Sequence, residues 1–318
     1  MFIDTTQNEG VYTPSFLRNE DLSTTDFLRS VKVRAYSIIA NSIRSKGFCH
    51  SITHSLFSGK MTRSNIIFSI GTSCGVALER MITIASSIEL LHEASLVHDD
   101  IQDNQEYRRG IPTIWKKHSI NEAISWGDFL LSLSLEPFIE DGTINDIKHL
   151  NSAIQRMLEG QNLEHSSASK QITEPDYLNI IKLKTTTLIE VSVKLLLSKS
   201  DKNYENLLQA TNSLGLAYQI KNDLNDFLRG DLGIDYKNKI SSLPFLELYK
   251  IRQAKNKQYN YNNVFNEKIS NEEFNVVQQA IAPKIENYTN QFNTIFKNNL
   301  SKDCYNILRK SFDIYFKR

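Results

Sequence analysis

Twelve glycines and six prolines in 318 residues leave this chain short of the turn signals that all-β proteins need at every hairpin. No alternating apolar–polar stretch runs beyond a few residues, which excludes a half-buried sheet as the main architecture. Cysteine is scarce as well. Cys49, Cys74 and Cys304 have neither metal-ligand nor paired spacing, which argues against a disulfide framework or a zinc cluster and suits free thiols in a reducing compartment. No excess of one charge exists: 37 basic side chains face 36 acidic ones, so nothing points to nucleic acid. Glu79, Arg80 and Glu89 interrupt the longest apolar candidate before it reaches transmembrane length. The N-terminus lacks a basic region followed by an apolar stretch, so no signal peptide is expected. The expectation is a soluble, cytoplasmic protein without stable membrane insertion.

What is present is apolar periodicity of the helical kind, and all-α is the expected fold class. The spacing predicts helices over 24–46, 75–100, 144–164, 176–197 and 202–227. A further amphipathic face runs through Phe274, Val277, Ile281, Ile285, Tyr288, Phe292 and Ile295. Ser119 and Glu122 read as a capping box opening a helix that Pro137 ends. Residues 103–117 and 256–266 read as loops, Gly230 as a helix stop, and 1–22 as an arm or a short helix.

The densest chemistry lies where the second of these helices ends. Asp99, Asp100 and Asp103 fall within five residues, followed by Arg108 and Arg109. On a helix Asp99 and Asp103 share a face one turn apart, with Asp100 beside them. A core does not take adjacent carboxylates, because each buried charge costs several kcal/mol, order-of-magnitude, unless paired or metal-bound. Magnesium does take them, binding oxygen ligands and sharing itself with substrate phosphates. A lone DDxxD would read better as a solvated helix end. The arginine pair and a second cluster, Asn222, Asp223 and Asp226, reverse that reading. Two acid-tipped helices could grip metal ions between them, with a diphosphate completing the coordination.

These motifs resemble the trans-isoprenyl diphosphate synthase (polyprenyl synthetase) family, whose first motif reads DDxxD followed by RRG, here Arg108-Arg109-Gly110. The resemblance extends over about residues 58–244. It implies an isoprenoid synthase fold: one domain over 1–318, a single large helical bundle around a central apolar cavity. It also implies head-to-tail condensation of isopentenyl diphosphate with an allylic diphosphate, magnesium as cofactor, and a homodimer. Asp99, Asp103 and Asp223 resemble the metal ligands, with Asp100, Asn222 and Asp226 in support. Arg108 resembles the arginine that holds the allylic diphosphate, and Arg109 the one that holds isopentenyl diphosphate. Lys60 and Arg63 match a GKxxR pattern, and His92 stands where a His or Gln completes that second site. Lys184, Thr185 and Gln219 match positions that face the allylic substrate.

Three departures stand out. Met61 replaces a common arginine; Asn222 replaces the first Asp of the second motif and removes a charge. Ile240 occupies a usual lysine position, with Lys239 expected to substitute from one residue away. In the family, bulk four or five residues before the first Asp stops chain growth. Those positions are Ser95 and Ala94, both small, which favours geranylgeranyl diphosphate or longer, with Leu91 or Ile88 toward the floor. Competing readings are a class I terpene cyclase, a peptide-modifying prenyltransferase and a non-catalytic subunit of a heteromeric synthase. The first expects a different second motif, the intact RRG counts against the second, and the third usually loses the DDxxD that is whole here.

Overall fold

The computed structural model describes residues 23–43 and 56–316, the last six as backbone alone. The expected N-terminal arm, the far end of the first helix and Cys49 lie outside the described residues. Helix α1 (Thr24–Ser42) starts where the Ser23 hydroxyl accepts the Asp26 N–H. It is followed by α2 (Thr62–Ser73) and α3 (Leu78–Gln102). Apolar on nearly every face, α3 is a buried helix by composition, and it lies at the centre of the bundle. It packs against α1, α2, α5 (Ile120–Leu133) and α9 (Thr187–Leu196).

The segment expected as a plain loop at 103–117 carries structure. Strands β1 (Tyr107–Arg108) and β2 (Ile111–Pro112) pair antiparallel, and α4 (Ile114–Lys117) follows. Arg109 (φ 53°) and Gly110 (φ 79°) make the two-residue, left-handed turn that suits a tight hairpin. Ser119 caps α5 at 3.1 Å through the Glu122 N–H, but the Glu122 carboxylate lies 3.5 Å from His118 instead of closing the expected box. Pro137 opens α6 (Glu136–Asp141) from its first turn, where its missing N–H costs nothing.

Reciprocal capping boxes, Thr143 with Asp146 and Thr173 with Asp176, start α7 (Ile144–Ser166) and α8 (Glu174–Ile181). The helix expected over 176–197 is interrupted by a π-helical turn, Lys182–Thr186, before α9. Gly160 and Gly215 let neighbouring helices press on that turn. A Cβ on Gly160 would fall 2.5 Å from the Lys184 amide nitrogen, and one on Gly215 2.5 Å from Thr186. The chain continues through α10 (Tyr204–Phe227), α11 (Ile234–Asn238), α12 (Leu243–Lys255), α13 (Asn271–Asn299) and α14 (Lys302–Phe316). Within the expected loop at 256–266, a 3₁₀ turn over Tyr261–Phe265 buries Tyr261, Val264 and Phe265.

Three apolar clusters hold the bundle. The largest joins α2, α3, α7, α9 and α10; the second joins α8, α10, α12 and α13; the third joins α1, α3 and α5. Among the described residues no helix is long and apolar enough to cross a membrane. The architecture is all-α apart from the small hairpin.

Candidate active site

Three connected hollows open between these helices. The first is a small basic pocket walled by Gly59, Lys60, Arg63, His92 and Arg109, with Glu89 and Glu93 behind them. Met61 enters α2 in left-handed backbone, which places Arg63 in the first helical turn. Arg109 reaches over from the hairpin, its guanidinium donating to Ser58 Oγ at 3.2 Å and lying against Gly59. A Cβ at residue 59 would sit 2.7 Å from that guanidinium, so any larger residue there would push the Arg109 side chain aside. Burial, reinforced by Arg63, Arg108 and Arg109, holds His92 well below the usual imidazole range, so it is neutral. Its buried Nδ1 and the Arg63 Nε have no hydrogen-bond partner among the described residues. Lys60, Arg63, His92 and Arg109, singled out in the sequence, all line this one pocket.

The second hollow, about 340 Å³, is walled by both acidic motifs: Asp103 from the end of α3, and Asn222, Asp223 and Asp226 from α10. Lys184, Arg108, Glu164 and Gln219 share its walls. Burial pushes Asp103 up to about 6, against the pull of Lys184, and raises Asp99 in the same way. Burial also raises Asp223, although Tyr177 Oη donates to its Oδ2 at 2.7 Å and Gln219 Nε2 to its Oδ1 at 2.6 Å. The Thr185 hydroxyl in turn donates to Gln219 Oε1 at 2.9 Å. Lys184 is ion-paired with Glu164. Burial alone would depress this ammonium, but Glu164 and Asp99 outweigh it and hold Lys184 above its usual value. Asp103 and Asp223 are desolvated carboxylates in the wall of one cavity, the donor type that suits a hard divalent cation. Among the described residues, no three acidic, histidine or cysteine side chains are grouped tightly enough to hold an ion unaided.

A third hollow of about 300 Å³ lies between the first two. It shares Arg63, His92 and Thr185 with the basic pocket, and Arg108, Lys184, Gln219 and Asn222 with the acidic cavity. Asp99 and Ser95 face it, and Met157 and Leu188 line its apolar part. Both belong to the large cluster that contains Leu91 and Ile88.

Several expectations need correction. Asp100 does not face the acidic cavity; it holds Arg108, whose Nε donates to its Oδ1 at 2.8 Å. Asp226 accepts the N–H groups of Ile234 (3.0 Å) and Asp235 (2.8 Å), so both its oxygens serve the start of α11. Lys239 is exposed on a left-handed residue that ends α11, which leaves Ile240 in the cavity wall and Lys239 outside it. Ala94 is 1% exposed in the third apolar cluster, on the side of α3 away from the cavity; only Ser95 faces it. Residues not foreseen are Glu164, Tyr177, Glu89 and Glu93. Glu164 stands three residues after Gln161 on α7, and nothing in its local spacing signals its partner.

Known proteins resemble this chain over most of its length. Residues 46–282 match the family described as Polyprenyl synthetase. A geranylfarnesyl diphosphate synthase of Methanosarcina mazei is 29% identical over 201 residues, 62% of this chain and 66% of the relative. A farnesyl diphosphate synthase of Buchnera aphidicola is 32% identical over 208 residues, 60% of this chain and 73% of the relative. A heptaprenyl diphosphate synthase component 2 of Geobacillus stearothermophilus is 35% identical over 155 residues, 47% of this chain and 48% of the relative. A decaprenyl diphosphate synthase structure from Rhodobacter capsulatus superposes with a TM-score of 0.77 at 19% identity, covering 92% of this chain and 97% of that one. That likeness shows the isoprenoid synthase fold.

Proposed function

The chain belongs to the polyprenyl synthetase family, and from that premise we propose that it condenses isopentenyl diphosphate with an allylic diphosphate. The product is a trans-polyprenyl diphosphate, geranylgeranyl diphosphate or longer. One observation carries this reading: a basic pocket and an acidic cavity, each suited to a diphosphate, share walls with one intervening space. A cyclase needs the second of these but has no use for the first.

In this reading Lys60, Arg63, neutral His92 and Arg109 hold the isopentenyl diphosphate and orient its double bond toward the central hollow. Arg108, fixed by Asp100, and Lys184, fixed by Glu164, face the allylic diphosphate. As the allylic carbon–oxygen bond breaks, negative charge collects on the leaving diphosphate, and these two preorganised cations stabilise it. Magnesium held by Asp99, Asp103, Asp223 and Asn222 supplies the remaining positive charge when bound. The alkene then attacks the allylic cation, a carbon–carbon bond forms, and the released diphosphate takes the final proton. Met157, Leu188 and the apolar layer beneath exclude water and receive the growing chain.

Ile120 and Ile124, one turn apart on α5, are exposed and supply an apolar stripe for a second copy of the chain. Similarity to a protein named component 2 supports a second reading, in which a different subunit covers that stripe. Light scattering on the purified chain separates the two: a mass of twice the monomer favours the homodimer. A cytoplasmic location goes with either.

The activity test is incubation with isopentenyl diphosphate and each allylic primer in turn, with magnesium, followed by product sizing. Chain elongation from at least one primer is expected. Failure with all of them overturns the proposal.

A further inference from the structure

The segment from Leu56 to Met61 supplies Gly59 and Lys60 to the basic pocket, and its backbone is strained at both ends. Phe57 (φ 53°) and Met61 (φ 48°) are bulky residues in left-handed backbone. Such conformations are unfavourable without glycine and persist only where the surroundings over-determine them. Here the surroundings are specific. The buried Phe57 N–H donates to Glu93 Oε1 at 3.0 Å. The Phe57 ring meets Tyr36 edge-on at 5.1 Å, and the Tyr36 hydroxyl donates to the Leu56 carbonyl at 2.8 Å.

One turn earlier on α3, Glu89 does the equivalent for the other end of the segment. Its Oε1 accepts the Ser64 N–H at 3.1 Å and the Ser64 hydroxyl at 2.6 Å. Two buried glutamates, four residues apart on one helix, thus clamp the two ends of the stretch that carries Gly59, Lys60 and Arg63. Neither is explained by packing, because a leucine would fill the same space without the cost of a buried carboxyl. Burial pushes Glu93 up to about 7, against the Phe57 hydrogen bond. At 8% exposure it backs both the basic pocket and the hollow behind it, which contains Arg108 and Arg109.

We propose that Glu93 and Glu89 form a two-point brace on α3 that sets the diphosphate-holding geometry of residues 57–64, with Glu93 as a positioning residue for isopentenyl diphosphate. The inference rests on the substrate assignment above, yet its test separates from that assignment. Isopentenyl diphosphate alone, without primer, is titrated calorimetrically into the full chain, and KM for each substrate is measured in parallel.

Glu93→Leu is expected to weaken isopentenyl diphosphate binding at least tenfold and to raise its KM alike, with KM for the primer and kcat changed less than threefold. Glu93→Gln, which keeps an oxygen for the Phe57 N–H, is expected to recover most of that loss. Should Glu93→Leu fold poorly by circular dichroism, Tyr36→Phe removes only the Leu56 tether and is expected to weaken binding two- to fivefold. Unchanged binding in Glu93→Leu, or in Tyr36→Phe where it stands in, overturns the brace, as does a Gln variant no better than Leu. Isopentenyl diphosphate binding without condensation in the wild type overturns the catalytic reading and leaves the brace standing; no binding at all overturns both.

Discussion

The basic pocket and the acidic cavity lie side by side, and in the proposed reaction they hold the same kind of group by opposite means. In the first, Lys60, Arg63 and Arg109 bring positive charge to the ligand, and His92 is kept neutral so that it can accept or donate without adding to it. In the second, Asp103, Asp223, Asp226 and Glu164 outnumber Lys184 and Arg108. A diphosphate entering the acidic cavity meets net repulsion unless a cation comes with it. In the proposed reaction the difference sets the division of labour. The pocket with fixed cations suits the substrate that must stay put, and the cavity that depends on a mobile cation suits the one that must ionise.

The largest effect that would break this comparison is on turnover. Asp103→Ala should lower kcat by at least ~10²-fold, the scale of losing one preorganised electrostatic element. A near wild-type rate in steady-state assays with magnesium would falsify the metal assignment. Next comes chelation. With EDTA present, binding of a primer diphosphate should weaken about tenfold or more, the loss of a charge-assisted contact, whereas isopentenyl diphosphate binding should shift less than about twofold. Equal losses at both sites, read by calorimetry, would erase the distinction.

A third test separates neighbours on α3. Ser95→Phe fills the central hollow and should shift the product distribution toward shorter chains, read by chromatographic sizing. Ala94→Phe should instead cost about 1–3 kcal/mol of stability by overpacking, with product length retained. The opposite pairing would mean that α3 is rotated from the position described.

Stability itself should respond to pH. Glu93 rises from 4.5 to about 7 on folding, so between those values the folded chain holds a proton that the unfolded chain has released. Its contribution is therefore complete below about pH 4.5 and lost as pH rises toward 7, a change on the order of 3 kcal/mol at most. Urea midpoints should fall over that window and level off above it, and Glu93→Gln should flatten the slope. Asp103, raised in the same direction, adds to the trend. The smallest effect expected is that of Lys239→Ala. An exposed lysine outside the cavity should change kcat by less than about twofold, within the usual reach of surface substitutions.

Sequence reading located both acidic motifs, the arginine pair and the GKxxR segment because each is defined by short spacing that a helix or turn preserves. It failed where a partner comes from elsewhere in the fold. Glu164 acquires meaning only when α7 meets the π-helical turn and pairs it with Lys184. Asp226 looks like its neighbours in the motif, but it accepts from Arg229 and from amides eight and nine residues on. The place of Ala94 is legible in the sequence. Leu90, Ala94, Val97 and Ile101 share one stripe of α3, within the third cluster, while Leu91 and Ser95 lie on another, so helical phase alone separates the two positions. The hairpin at 107–112 gave less warning, since Arg109 adopts left-handed backbone that its residue type does not favour.

The π-helical turn at Lys182–Thr186 carries a consequence for how this chain can vary in length. Its wider loop of backbone holds an additional residue, and it is clasped by Gly160 on one side and Gly215 on the other. Deleting one residue there would let an ordinary helix run through with the segments on either side kept in phase, because the turn already absorbs one residue more than an α-helical turn. Leu188, Val191 and Leu195 would keep their places in the cluster that they share with α3 and α10, while the bulge that presents Lys184 would be lost. This stretch should therefore tolerate the loss of one residue as a helix while losing the placement of Lys184 and Thr185 in the wall of the central hollow.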